Sequence, residues 1–207
     1  MIGQEKNLVS ITSLSPKKQL AFALLVFERM LPSLVAFSKD TGFDDSCYLQ
    51  ARDAAWAALR NGQVDRSLSE ACLRGAPDTE EYSHELISFA LDAALAMSDI
   101  MDFTQDGCAD HIESVSTRAG DSVYLYLNGL DDSVVIPPDN VSRLASHPLM
   151  QEEHRREETD IRFLAGLPEQ LSDETIRSLK TRADTQAPCF LSRCNLAGRF
   201  LGSENSC

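Results

Sequence analysis

The densest apolar stretch of the sequence runs from Leu20 to Phe43, and its first eight positions are all hydrophobic. A helix that is apolar on every side must be buried on most of them, so this stretch predicts a central core helix. Ser15 and Pro16 provide a helix start, because serine caps free N–H groups and proline suits the first helical position. The fully apolar run is far shorter than the roughly 20 residues that a membrane span needs.

Pro32 falls inside this predicted helix. Its nitrogen cannot donate to the carbonyl of Glu28, but the apolar spacing resumes at Leu34, so we expect either one kinked helix or two helices that meet at an elbow. Gly42 suits the left-handed conformation that often ends a helix. The Pro32 elbow is therefore the most unusual local feature of the pattern.

Helical spacing of apolar residues continues along most of the chain. It predicts helices after Asp44, from about Val64 to Leu73, from Asp78 to about 103, after Pro148 and after Ser172. The helix that opens at Asp78 carries an acid at every seventh position, which places the acids on one face (Asp78, Glu85, Asp92, Asp99, Asp106). Carboxylates two turns apart are ~10 Å from each other, so we interpret this stripe as a solvated face rather than a cation site.

Residues 121–136 fit two patterns. Alternating Val123, Leu125 and Leu127 followed by an Asn128-Gly129 turn is typical of a β-hairpin. Apolar residues from Ile112 onward keep a spacing of three or four, which is typical of a helix. The residues alone leave both open.

Taken together, the pattern predicts one all-α domain of about seven helices in an orthogonal or up-down bundle. Residues 1–14 are expected to be a loosely ordered lead-in, 15–185 the helical domain, and 186–207 a loosely held tail. The low content of glycine (10) and proline (8) among 207 residues also favours long helices.

Composition adds limits on partners. The formal net charge of −13 disfavours binding to nucleic acid and to anionic membrane surfaces. The N-terminus MIGQEKNLVS has an acid and a base before any apolar run, so we expect no signal peptide and a cytoplasmic protein with reduced thiols. Among six cysteines, Cys47, Cys72 and Cys108 fall in apolar helical patterns. Cys189 and Cys194 are left open as a redox pair or half a metal site.

Motifs for chemistry are lacking. The sequence has no G-x-S-x-G elbow and no glycine-rich phosphate loop, and Glu81-x-x-His84 is a single step where a di-metal bundle needs two. We therefore predict no catalytic residue, no metal and no cofactor. Glu28, Arg29 and Asp44, which flank the Pro32 elbow, are the speculative ligand-binding residues. We also expect Glu28 or Arg29 to contact the later helix that carries Glu152 to Arg156.

These observations favour a soluble, non-enzymatic module for protein interaction or self-association. The alternative is an enzyme or small-ligand binder with a pocket near the Pro32 elbow. A concave pocket that holds Glu28, Arg29 and Asp44 together would favour the second.

Three segments carry a family resemblance: FERMLPSLVAFSKDTGFDD, Trp56 at its spacing, and HPLMQEEHRREETDIRFLAGL. They resemble the YjaG-like family of uncharacterised bacterial proteins over about residues 15–185. The resemblance implies a compact all-helical domain and one long helix over 108–128. It implies no catalytic residue. Ser33, Leu34 and Asp44 depart from the family pattern, as does the segment 84–87, so a ligand shared by the family would not carry over at these positions.

Overall fold

Seven α-helices form within residues 10–62, 64–129 and 145–184, the parts of the chain that the computed structural model describes. No strand occurs in these parts, and the prediction of an all-α domain is confirmed. In chain order the helices are α1 (Pro16–Thr41), α2 (Ser46–Asn61), α3 (Arg66–Arg74), α4 (Ile87–Asp106), α5 (Ala109–Gly129), α6 (Pro148–Ala165) and α7 (Asp173–Asp184).

Helix α1 is the centre of the domain. It continues through Pro32 as one helix, and every residue from Lys18 to Leu31 is buried. It packs against α2, α4, α5, α6 and α7. By length and composition α1 would also suit a membrane span, but 72% of its apolar window is buried inside the domain, as in a core helix. The prediction of a central helix is confirmed.

Helix α4 begins at Ile87, nine residues after the predicted start at Asp78, which was therefore wrong. The Asp78 carboxylate accepts a hydrogen bond from the Glu80 backbone N–H at 2.8 Å, and such local bonds favour a turn over a helix. Tyr82 then packs edge-on against the ring of Phe37. The segment before α4 is thus a loop held to the end of α1 by aromatic contacts.

The acidic stripe is only partly a solvated face, so that prediction is also corrected. Asp92 and Asp99 face α5: Asp92 accepts a hydrogen bond from Ser122 at 3.1 Å, and Asp99 pairs with Arg118 at 2.8 Å. Burial raises the pKa of Asp92 to about 6. The repeat therefore marks the α4–α5 interface only at Asp92 and Asp99, whereas the other three acids are exposed (Asp78, Glu85, Asp106).

The ambiguous segment is helical as far as Gly129, where α5 ends. The helix implied by the family resemblance over 108–128 is confirmed, and a hairpin starting at 121 is wrong, because Val123 is buried as a helical residue against α6 neighbours Leu149 and Met150. The remainder of the predicted hairpin lies outside the described residues.

The chain ends are described only in part. A short 3-10 turn at Ile11–Ser13 precedes α1, and Leu14 is buried in the core. Residues 1–9, the predicted tail at 186–207, and with it Cys189 and Cys194, lie outside the described residues.

Candidate functional site

A buried ion cluster joins α1, α6 and α7. Arg29, whose side chain is 2% exposed, donates from Nε to Oε1 of Glu153 at 3.0 Å and from Nη1 to Oδ2 of Asp160 at 2.8 Å. Asp160 also accepts from Arg182 at 2.9 Å (Nε) and 2.7 Å (Nη2). Arg29 therefore contacts the later helix as the sequence predicted, and this contact is confirmed.

The helices position these charges through their periodicity. Glu153, Glu157 and Asp160 follow an i, i+4, i+7 spacing and share the buried face of α6 with Leu149 and Leu164. Three acids thus occupy positions that an amphipathic helix normally fills with apolar residues. Their burial is tolerated because Arg29 and Arg182 bring compensating charge.

Five ionisable groups meet in this cluster: the Arg29 and Arg182 guanidinium groups and three carboxyl groups. Burial alone would lower the pKa of Arg29, but Glu153 and Asp160 stabilise its charge and the pKa is raised. The third carboxyl, Glu157, has a pKa raised to about 7, first by burial and then by the nearby Glu153 and Asp160 charges. With Glu157 protonated, two positive charges face two negative ones.

Glu157 connects the cluster to a cavity of about 310 Å³ between α5 and α6. Its Oε2 accepts a hydrogen bond from Ser116 at 2.7 Å, whereas its Oε1 has no hydrogen-bond partner among the described residues. The cavity is lined by side chains of both helices (Ser116, Thr117, Gly120, Asp121, Tyr124, Met150, Glu153, His154, Glu157). Met150, Glu153 and Glu157 are buried, while Thr117, Asp121 and His154 are exposed, so the cavity has an acidic, partly apolar floor and a polar mouth.

Glu28 belongs to a different contact, with helix α2. Its Oε1 accepts hydrogen bonds from Arg52 Nε and Trp56 Nε1, both at 2.7 Å, and it is buried. This ties α1 to α2 close to Pro32. A buried carboxylate that satisfies both an indole N–H and a guanidinium holds helices together.

Asp44 lies apart from both charges. It is exposed in the α1–α2 loop, and its Oδ1 accepts from the Ser46 backbone N–H at 3.0 Å. Hydrogen bonds from the Ser46 side chain and then from its backbone lower the pKa of Asp44. Glu28, Arg29 and Asp44 therefore have different partners, and none of them lines the α5–α6 cavity. The structure brings Arg29 to that cavity only through Glu153. A ligand-binding role for the three residues stays a prediction.

The described residues contain no group of three or more His, Cys, Asp or Glu side chains arranged to hold a metal ion. What the cavity can do chemically is accept hydrogen bonds and exchange a proton near neutral pH, since Glu157 titrates there.

Sequence reasoning missed Glu157, Asp160 and Ser116. A signal for the two acids was present, because their spacing from Glu153 matches the apolar positions of α6. Ser116 gave none, since a serine on a half-buried helix face is common and its partner lies 41 residues away.

Fold and site define a single helical domain with a buried ion cluster beside an acidic cavity. The chain belongs to the family described as "Protein of unknown function (DUF416)", whose family model matches residues 6–188. The fold is similar to the crystal structure of a DUF416 family protein from Shewanella baltica OS155, with a TM-score of 0.73 and 19% sequence identity over 88% of this chain and 94% of that one. No curated protein matches the sequence.

Proposed function

We propose that this domain binds a small organic cation in the cavity between α5 and α6. The observation that supports this proposal is the composition of the cavity wall. It contains the carboxyl groups of Asp121, Glu153 and Glu157, of which Glu153 is paired with Arg29, and His154 is its one described lining residue that can carry a positive charge. A volume of about 310 Å³ falls at the lower end of the ~300–1,000 Å³ that is usual for small-molecule sites.

The cavity offers distinct partners to the two ends of such a ligand. Glu157 Oε1 is a buried oxygen without a hydrogen-bond partner among the described residues, so an ammonium N–H would satisfy it. Tyr124 and Met150 provide aromatic and apolar surface for the rest of the ligand. An aromatic ring also attracts a cation through its face.

Protonation couples to binding at this site. A cation is stabilised by the ionised form of Glu157, whose pKa of about 7 means that the acid still holds its proton in mildly acidic solution. Cation binding near neutral pH therefore releases a proton, and affinity falls as the pH drops below about 7. The net charge of −13 adds a long-range attraction for cations.

The proposal is tested by titration calorimetry with phenethylamine and with phenethyl alcohol, its neutral counterpart. We expect the amine to bind at least about tenfold more tightly, since a charged partner is worth ~1.4 kcal/mol or more in a desolvated site. Equal affinities for phenethylamine and phenethyl alcohol would contradict the proposal.

Gly120 provides the matched pair of variants that locates the site. It lines the cavity, and a Cβ built on it meets nothing within 4 Å. Gly120→Ala should leave amine binding intact, whereas Gly120→Leu should place its side chain in the cavity and abolish binding. If the leucine variant folds and binds the amine normally, the ligand lies elsewhere.

A role in protein interaction or self-association stays a prediction, as do the cytoplasmic location and the absence of nucleic-acid and membrane partners. Only Val35, Leu73 and Phe163 are exposed large hydrophobics in the described part of the chain, and they lie on three different helices. An interface usually needs a contiguous apolar patch, so this surface gives that role less support than the cavity gives to ligand binding. The narrower likeness to YjaG-like proteins also stays a prediction, supported by the segments around Pro32 and in α6.

A further inference from the structure

Two cysteines meet where α2 begins and α3 ends, away from the proposed cation site. Cys47 is the second residue of α2 and is half-buried, whereas Cys72 lies near the end of α3 and is fully buried. Both are free thiols. In the sequence they fall in two different helical patterns, with 24 residues between them.

Their surroundings hold the end of α3 against the start of α2. Cys72 Sγ donates a hydrogen bond to the Cys47 carbonyl oxygen, with 3.8 Å between the two atoms, so the Cys72 thiol lies against the Cys47 backbone. Tyr48 donates its hydroxyl to the Cys72 carbonyl at 2.9 Å and so holds the end of α3 to α2. Gly75 lies beside the Cys47 sulfur, since a Cβ built on Gly75 would be 3.4 Å from Cys47 Sγ.

The two thiols differ in protonation. The Cys72 hydrogen bond, and then a backbone hydrogen bond, lower the pKa of Cys47 to about 7 against the effects of burial and of the nearby Asp44 charge. Its place in the first turn of α2 acts in the same direction, since helix N-termini stabilise thiolates. The pKa of Cys72 is strongly raised, first by its hydrogen bond to Cys47 and then by burial. The half-buried Cys47 is thus the thiol that ionises more readily near neutral pH, whereas the fully buried Cys72 keeps its proton.

We propose that Cys47 and Cys72 form a dithiol site that reacts with hydroperoxides. The Cys47 thiolate attacks the peroxide oxygen, forming an S–O bond as the O–O bond breaks and the leaving oxygen departs as hydroxide or alkoxide. Cys72 sulfur then attacks the sulfenic sulfur of Cys47, its proton leaves with the hydroxyl as water, and a disulfide forms. The two thiols are oxidised, and the peroxide is reduced to water or to an alcohol and water. In a reducing compartment such disulfides are typically transient and redox-sensing.

The site is tested on the full chain with hydrogen peroxide, followed by alkylation and peptide mapping. Trypsin separates the two cysteines into peptides 40–52 and 67–74, because cleavage follows Lys39, Arg52, Arg66 and Arg74. We expect these two peptides to become linked and to separate again with dithiothreitol. Wild-type protein in which Cys47 is oxidised without this link, or stays reduced while Cys108 reacts, would overturn the proposal.

Variants assign the two roles. Cys72→Ser should leave a sulfenic acid on Cys47 that dimedone traps, and Cys47→Ser should leave Cys72 reduced. Cys108→Ser is the matched control, since Cys108 is exposed between α4 and α5, and it should not change the link. Alkylation of Cys47 by iodoacetamide should accelerate about tenfold from pH ~6 to pH ~8, following its thiolate fraction. A flat rate over this range would exclude Cys47 as the attacking thiol.

Discussion

Arg29 and Asp160 are 131 residues apart in the sequence and form a buried ion pair, with 2.8 Å between Nη1 and Oδ2. Asp160 has no solvent exposure and also accepts two hydrogen bonds from Arg182. One carboxylate therefore joins the first helix to the last two of the described chain. Removing a partner of this carboxylate should lower the stability of the fold, because a buried charge without a partner is not hydrated by water either.

Removal of the central guanidinium should test this cost. Arg29→Met leaves Glu153 without its charge partner and Asp160 with only Arg182, so we expect the free energy of unfolding to fall by ~3 kcal/mol or more. Urea denaturation measures the change. Arg162→Met is the control, since Arg162 forms an exposed i,i+4 pair with Glu158 on the same helix and should cost under ~1 kcal/mol. Similar losses in both variants would mean that the buried cluster does not stabilise the fold.

Glu28 should act through its hydrogen bonds to α2. Glu28→Leu removes the acceptor of the buried Trp56 N–H, which should cost ~1–3 kcal/mol. Glu28→Gln keeps an acceptor oxygen and should cost less, because Arg52 is partly exposed and can be hydrated. The single tryptophan of the chain makes its own fluorescence the readout of both unfolding curves. If Glu28→Leu and Glu28→Gln lose equal stability, the loss comes from the missing charge and not from the missing hydrogen bond to the Trp56 indole.

Glu157 should make stability depend on pH. Its folded-state pKa of about 7 exceeds its ordinary value of 4.5, so the folded protein binds more protons than the unfolded chain between these values. The free energy of unfolding therefore falls as the pH rises through this window, by ~3 kcal/mol in total. The glutamine of Glu157→Gln does not titrate. The difference in free energy of unfolding between this variant and the wild type therefore gives the contribution of Glu157 separately from that of Asp92, whose pKa is also raised. A difference that stays constant from about pH 4.5 to 8 would contradict the prediction.

Two glycines offer a test of backbone geometry. Gly120 is inside α5, where alanine is favoured over glycine by ~1 kcal/mol, and its Cβ would meet open space. Gly120→Ala should therefore raise the melting temperature. Gly42 also has open space, but its φ of 78° is the left-handed conformation at the end of α1, so Gly42→Ala should lower the melting temperature. Shifts in the same direction would mean that φ is not the deciding factor.

The sequence allowed the helices to be predicted more accurately than the tertiary contacts between them. Leu20 to Phe27 identify α1 as the core helix because an all-apolar helix has only one stable environment. The start of α4 was misplaced because Asp78 suits a helix cap and a turn equally well. The packing of Tyr82 against Phe37 in the folded domain favours the turn, and local sequence does not encode that contact.

The site was harder to predict. Glu28 or Arg29 was expected to contact the segment 152–156 because Pro32 frees a polar group beside the core, and Arg29 makes that contact through Glu153. The cavity was not foreseen, because it depends on how α5 and α6 pack and on a hydrogen bond between Ser116 and Glu157. Neither is encoded in local periodicity.

The central position of α1 has a consequence for synthesis of the protein. Its buried partners on α6 and α7 lie more than 120 residues downstream, so α1 leaves the ribosome long before they are made. During that interval a nascent helix with eight consecutive hydrophobic residues has no completed surface to cover it. Such exposed segments favour aggregation and recruit chaperones. The yield of the folded protein in cells should thus depend on elongation speed and chaperone supply as well as on the stability of the finished domain.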